Sequence, residues 1–270
     1  MCDCQPTDAA PRVNRRRALG LTAAAAGAAA IGAVVPRRTS PAHSLGTPSV
    51  EVTPGLRIAR REAWGPDLPP TGPIGPEDVR FLLVHHTFSS NDVADVRALL
   101  RSVYAFHTGP EKRWPDIAYH FMIAPDGGVW ETRAGSLDGP VVADATGGNQ
   151  GFAQLVCLIG DYTAVPPTPA AQESLVRVLW WLADRYDVGT ARGDTATFVS
   201  RGSNKLARGT TATVRTISGH RDCTLTACPG DAAYGLIPRW RALVHANRLH
   251  ATPDEDAPYR TARRLGVHLS

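Results

Sequence analysis

SGHRDCTLTACPG, from Ser218 to Gly230, sets His220 and Cys228 eight residues apart and turns the chain with Pro229 and Gly230 straight after the thiol. Imidazole and thiolate are the ligand types that suit zinc best, at roughly 2.0–2.1 Å and 2.3 Å. Two ligands do not make a site. A second histidine-rich stretch ends a short apolar run, Phe81-Leu82-Leu83-Val84-His85-His86-Thr87, which reads as a buried strand. Successive strand side chains point to opposite faces, so one of His85 and His86 can face a metal shared with His220 and Cys228. Three protein ligands and one open position make a catalytic zinc rather than a structural one.

Around these two stretches the pattern is that of one α/β domain. After the strand at 79–84, Ser90 or Asn91 is the expected cap of a helix that lines up Val93, Val96, Leu99, Leu100, Val103 and Tyr104 on one face. A hairpin follows, from Tyr119 to Ile123, through Pro125-Asp126-Gly127-Gly128, to Val129-Trp130-Glu131. Leu155 to Ile159 reads as a short buried strand. Thr168-Pro169 opens a second helix with Leu175, Val178, Leu179 and Leu182 inward, proline suiting its first position. Residues 188–216 read as loop, with a turn at Arg201-Gly202-Ser203-Asn204, and 232–247 as a last helix. Strands alternating with helices predict a central mixed sheet flanked by helices, with the zinc site in a surface groove.

The N-terminus reads as an export signal. Asn14-Arg15-Arg16-Arg17 precedes an Ala/Gly-rich apolar run from Ala18 to Val35, and Ala42-His43-Ser44 is a small-x-small cleavage site. Twin arginines before a weakly hydrophobic run point to the Tat route; an uncleaved anchor is the alternative. The expected division is a signal over 1–44, a Pro/Ser/Thr-rich linker over 45–56, the domain over 57–250 and a polar tail over 251–270. The chain carries a formal charge of +4, but residues 1–44 hold six arginines against two aspartates. Their removal leaves bases and acids balanced, which takes away the main support for nucleic-acid binding. Cys2 and Cys4 leave with the signal. Cys157 and Cys223 then form either a disulfide in an oxidising compartment or two separate buried thiols.

Five motifs in order carry a resemblance that spans about residues 57–247. They are Arg60-Arg61-Glu62-Ala63-Trp64-Gly65, LLVHHT, Asp116-Ile117-Ala118-Tyr119-His120-Phe121, Ile159-Gly160-Asp161-Tyr162 and GHRDCTLTACPG. Together they resemble the zinc-dependent N-acetylmuramoyl-L-alanine amidases of the amidase type 2 and peptidoglycan recognition protein superfamily. The resemblance implies that His85, His220 and Cys228 hold Zn2+, with Tyr119 as the catalytic tyrosine. It makes Thr226 and Asp222 further catalytic candidates, and His86, Asn149 and Arg221 candidates for contact with substrate. For Thr226 the duller role is a turn residue bonding its own backbone, for Asp222 a loop aspartate, for His86 a packed histidine and for Arg221 a surface salt bridge.

Two departures stand out. Cys157 occupies the strand position where wall-recycling relatives carry a glutamate, and Asp144 in Val142-Ala143-Asp144-Ala145 replaces a family histidine. The implied activity is cleavage of the amide between N-acetylmuramic acid and L-alanine by an exported monomer acting on peptidoglycan or muropeptides, without membrane insertion once the signal is gone. The alternatives are a recognition module of the same fold that binds muropeptides without cutting them, and a structural zinc domain closed by Cys223.

Overall fold

A computed structural model describes residues 47–250. The signal with Cys2 and Cys4, and the tail over 251–270, lie outside the described residues. Twelve of the described segments order the site: β1 (Ser49–Thr53), β2 (Leu56–Ala59), β3 (Phe81–His86), α1 (Val96–Thr108), β4 (Phe121–Ile123), β5 (Val129–Glu131), β6 (Ala153–Leu158), α2 (Pro169–Arg185), the pair β7 (Thr195–Val199) with β8 (Thr211–Arg215), and β9 (Ile217–Gly219) leading into α3 (Asp231–His250). Seven strands form one mixed sheet in the order β1-β2-β5-β4-β6-β3-β9. Its heart is parallel: β3 lies between β6 and β9, and β6 also pairs with β4.

Parallel strands covered on both faces read as unbroken apolar runs, and the burial alternates as pleating requires. From β3, Leu82 and Val84 join Val156 and Leu158 of β6 beneath α2 and α3, whose Leu175, Leu179 and Trp240 complete that cluster. Phe81 and Leu83 of β3 face the other way, with Leu155 and Cys157 of β6 and with Leu100 and Val103 of α1. The metal ligands therefore have to be sought on the α1 side or the α2/α3 side, and that choice separates His85 from His86.

Three expectations change. The linker over 45–56 is strand from Ser49 onward: β1 and β2 form an antiparallel ribbon at the sheet edge. β1 is half-exposed, and only the short β2, through Leu56 and Ile58, enters the core; beside Pro54-Gly55 so short a pattern has the composition of a linker, which hides it. The first helix starts at Val96, not near Asn91. Asp95 caps it, its carboxylate accepting from the Ala98 amide at 3.0 Å. Asn91 instead clamps the loop after β6, donating to the Asp161 carbonyl and accepting from the Asp161 amide.

Residues 188–216 are not a loop but hold the β7–β8 hairpin. Its inner face carries Phe198, Ala212 and Val214 onto the sheet, and Phe198 stacks on Phe81 with ring centroids 5.5 Å apart. The threonine-rich alternation in Thr195–Val199 and Thr211–Arg215 is the period-2 signal of a half-buried strand. Cys157 and Cys223 are separate buried thiols, so the disulfide alternative falls away. The second helix is as expected, with Thr168 capping the Ala171 amide and Pro169 in the first turn.

Removing the Phe198 ring should lower the unfolding free energy by about 3–5 kcal/mol, the usual cost of a Phe→Ala cavity. Urea denaturation of Phe198→Ala checks this; a loss under about 1 kcal/mol would show that the hairpin is not packed on the sheet.

Candidate metal centre

Strand pairing brings the ligands together. In the β3–β9 register Val84 lies opposite Gly219, so the next residue on each strand, His85 and His220, emerges side by side. Their rings stand 4.3 Å apart. Gly219 has to be glycine here, because a Cβ would meet the Tyr234 ring at 2.8 Å and Ile237 at 3.0 Å. Cys228 returns to the same point through the turn after His220. Its Sγ lies 3.6 Å from His85 Nδ1 and accepts the His86 amide at 3.4 Å. Gly230, at φ +88°, closes the turn where any side chain would collide with the Tyr162 carbonyl.

One ligand atom from each of His85, His220 and Cys228 lies within 4.8 Å of the others, and all three residues are buried. Whether they suit a metal follows from what they lack. Both ring nitrogens of His220 are buried without a hydrogen-bond partner, an expensive state for polar atoms that an ion at one of them would relieve. Burial, with His220 next, holds the His85 ring well below its ordinary pKa, and burial pushes His220 down to about 3. Both imidazoles are thus neutral, the form that binds metal. A nitrogen and a sulfur ligand on one tetrahedral zinc lie about 3.6 Å apart, the separation found between His85 Nδ1 and Cys228 Sγ. The residues fit.

Tyr119, just ahead of β4, packs its ring 5.1 Å from that of His85 and so belongs to the centre. Its other side meets His107, 5.6 Å away on α1. His107 was not singled out in the sequence, although its spacing from Leu100 and Val103 puts it on the apolar face of α1. The His107 Nδ1 accepts the Ala118 amide at 3.2 Å, and burial lowers its pKa to about 3.

The remaining candidates build the site without facing it. His86 points to the α2/α3 side, fully buried, with Nδ1 accepting the Tyr162 amide at 3.2 Å; that position leaves no surface for substrate. Asp222 accepts from the Gly219 amide at 2.9 Å and from the Tyr234 hydroxyl at 2.6 Å, tying the His220 turn to α3. Arg221 pairs with Asp231 at 2.6 Å, and its amide and Nε both donate to the Cys228 carbonyl; both of its charged and polar ends are thereby used inside the turn. Thr226 Oγ1 accepts the Cys228 amide at 3.2 Å. Asn149 is fully buried beside Cys223, which also removes it from substrate reach. Arg221, Asp222 and Thr226 thus all bond backbone groups of the turn that carries His220 and Cys228.

Cys157 lies opposite His85 in the β3–β6 register, so a buried thiol stands on the strand next to the metal group. Asp144 forms an ion pair at 2.8 Å with Arg133, which is itself buried. Beneath them lies a polar cluster with no single-sequence signature. Glu77 accepts from the Ala153 amide at 2.9 Å and the Gln154 side chain at 2.7 Å, and its Oε2 lies 3.6 Å from His120 Nε2. Burial pushes the Glu77 carboxyl up to about 8, with the hydrogen bonds from Gln154 and Ala153 opposing it.

Comparisons with known proteins place the domain. The family model described as N-acetylmuramoyl-L-alanine amidase, Amidase_2, matches residues 75–231. An N-acetylmuramoyl-L-alanine amidase of Sus scrofa is 30% identical over 200 residues, 73% of this chain and 28% of that protein. One of Homo sapiens is 33% identical over 165 residues, 59% of this chain and 24% of its own length. The match thus spans about a quarter of the length of these two relatives. Peptidoglycan recognition protein 1 of Bos taurus is 28% identical over 192 residues, 68% of this chain and 83% of that protein. Among solved structures, Drosophila PGRP-SD aligns with a TM-score of 0.53 at 22% identity over 68% of this chain and 95% of its own. Drosophila PGRP-LB aligns at 0.52 with 19% identity over 74% and 99%. These structural likenesses establish the fold.

Because Glu77 binds its proton more tightly folded than unfolded, its contribution to stability is full below about pH 4.5 and is lost as the pH rises to about 8. Glu77→Gln should flatten the fall in stability across that window relative to the parent chain. Denaturation midpoints measured from pH 4.5 to 8.5 check it; parallel curves for the two proteins would show that Glu77 is already ionised when folded.

Proposed function

The chain belongs to the Amidase_2 family of N-acetylmuramoyl-L-alanine amidases, and from that premise we propose that it is a zinc amidase that cuts N-acetylmuramic acid from L-alanine in peptidoglycan or its fragments. The observation that carries this reading is the buried set His85, His220 and Cys228 with unpartnered neutral ring nitrogens and Tyr119 packed against it. Zinc in a site with three protein ligands supplies a hydroxide at neutral pH and polarises a carbonyl. The reaction consumes one water: its oxygen stays on the lactyl carbonyl carbon, the C–N bond breaks, and the alanine nitrogen leaves with a proton as the amine.

The protein's own residues hold the geometry. Tyr119 donates a hydrogen bond to the carbonyl oxygen as negative charge gathers on it, the moment when such a donor contributes most. His107, wedged against the Tyr119 ring, keeps the phenol turned toward His85. The Cys228 amide and carbonyl are held by Thr226 and Arg221, so the thiolate stays where it meets His85. Export through the N-terminal segment and action as a monomer complete this reading.

Recognition without hydrolysis is the rival reading, since relatives in the comparison are named recognition proteins. The intact His, His and Cys set favours the enzyme: a binding module has no use for three buried ligands around an open metal position.

Zinc content and release of new N-terminal alanine from purified peptidoglycan test the proposal together. Cys228→Ser should lose zinc and activity. Tyr119→Phe should keep zinc and lose roughly 10²–10³-fold in kcat, the usual cost of one oxyanion donor. Cys223→Ser should keep both. Zinc and muropeptide binding without alanine release would establish the recognition module, and zinc lost from Cys223→Ser would establish a closed structural site.

A further inference from the structure

The β7–β8 hairpin carries five cations, Arg192, Arg201, Lys205, Arg208 and Arg215, all exposed, and a single acid. That acid, Asp194, accepts the Ala191 amide at 2.8 Å within its own turn. Among the described residues none of the five cations has a carboxylate partner. Arg201 lies over the Phe152 ring, and Lys205 donates to the Arg221 carbonyl at 2.7 Å. Elsewhere Arg57, Arg80, Arg101, Arg177 and Arg248 each lie within 3.6 Å of a carboxylate, while Arg97 and Arg113 bond a hydroxyl and a carbonyl singly, apart from any such cluster. Within the hairpin, cations therefore outnumber acids five to one.

The placement of these cations is informative. Arg192 and Arg215 stand at the base of the ribbon, where Arg215 pairs with Thr195, and Arg201, Lys205 and Arg208 stand at its tip. Five residues of strand separate the two groups, about 16 Å at 3.3 Å per residue. Between them the outward face presents Thr195, Thr197, Thr211 and Thr213, all exposed. Cations at both ends of a hydroxyl-bearing ribbon match an extended chain of anions, not one small anion.

The tip also touches the metal centre's turn. Ser203 Oγ donates to the Cys223 carbonyl at 2.9 Å, and Asn204 exchanges hydrogen bonds with Leu225. A polymer bound along the ribbon therefore lies beside the Cys223–Cys228 segment.

From these features we infer that the hairpin is a docking surface for a linear polyanion of the cell wall, a polyol phosphodiester polymer, which holds the protein on its solid substrate. The inference rests on the amidase reading for the nature of the partner. Binding needs no catalysis, so its test is independent of that activity.

The full chain and the variant Arg192→Ser/Arg208→Ser/Arg215→Ser would be titrated with poly(glycerol phosphate), while alanine release from a soluble muropeptide is followed separately. The parent chain should bind, weakening about tenfold or more between 50 and 200 mM salt as counterions are released. The triple variant should bind about tenfold more weakly with muropeptide turnover unchanged. Equal binding by parent and variant would overturn the inference. So would equal or tighter binding of duplex DNA with matched phosphate number, which would remove the wall polymer as the fitted partner. Binding that appears only after removal of residues 251–270 would also overturn it, assigning the hairpin to Asp254-Glu255-Asp256 of the chain itself.

Discussion

Parallel pairing of β3 with β9 is the constraint from which the rest of the centre follows. It sets Val84 against Gly219, and the pleat then turns His85 and His220 to one side and His86 to the other. A one-residue slip would exchange His85 for His86 and carry Leu82 and Val84 out of the α2/α3 core. Burial of the strand on both faces forbids that slip, so the hydrophobic core itself holds two ligands in place. The third ligand needs a turn rather than a strand. Arg221, Asp222, Thr226 and Gly230 each secure that turn through a different backbone group.

This division of labour explains why so many polar residues near the motif do not point at substrate. A thiol placed beside two imidazoles from a loop has to be held by its own backbone, and loop backbone is held by side-chain hydrogen bonds. The Asp222 carboxylate and the Arg221 guanidinium act in this way, and their chemistry is consumed by it. The centre is left with neutral imidazoles, one thiol and the Tyr119 ring inside a largely apolar shell that includes Ile117, Ala118 and Leu155. Low polarity around the ligands strengthens every charge interaction made there.

Buried polarity is not confined to the ligands. Glu77, His120 and Gln154 share hydrogen bonds under the segment that carries Asn149, and the Arg133–Asp144 pair lies close enough to influence Glu77. A cluster of this kind is costly to bury unless each member is satisfied, and Gln154 Oε1 and Arg133 Nε have no partner.

The amino-acid sequence alone determined the mixed α/β architecture, the start of α2, the β4–β5 hairpin and the choice of His85, His220, Cys228 and Tyr119, which the fold gathers at one point. Those features rest on local periodicity, on capping residues and on motifs whose chemistry is carried by residue type. It did not reveal the β1–β2 ribbon, because Leu56 and Ile58 alone make a short apolar pattern beside the Pro54-Gly55 turn, or the β7–β8 hairpin, whose two five-residue strands are split by a long polar loop bearing glycine and arginine. The roles of His86, Asn149, Arg221 and Asp222 were decided only by tertiary structure. Residue type says what a side chain is able to bond, but strand register, the packing of α3 against the His220 turn and burial beside Cys223 decide which partner reaches it first. His107, Glu77 and the Arg133–Asp144 pair became meaningful for the same reason: their partners are distant in sequence and meet only when the sheet closes.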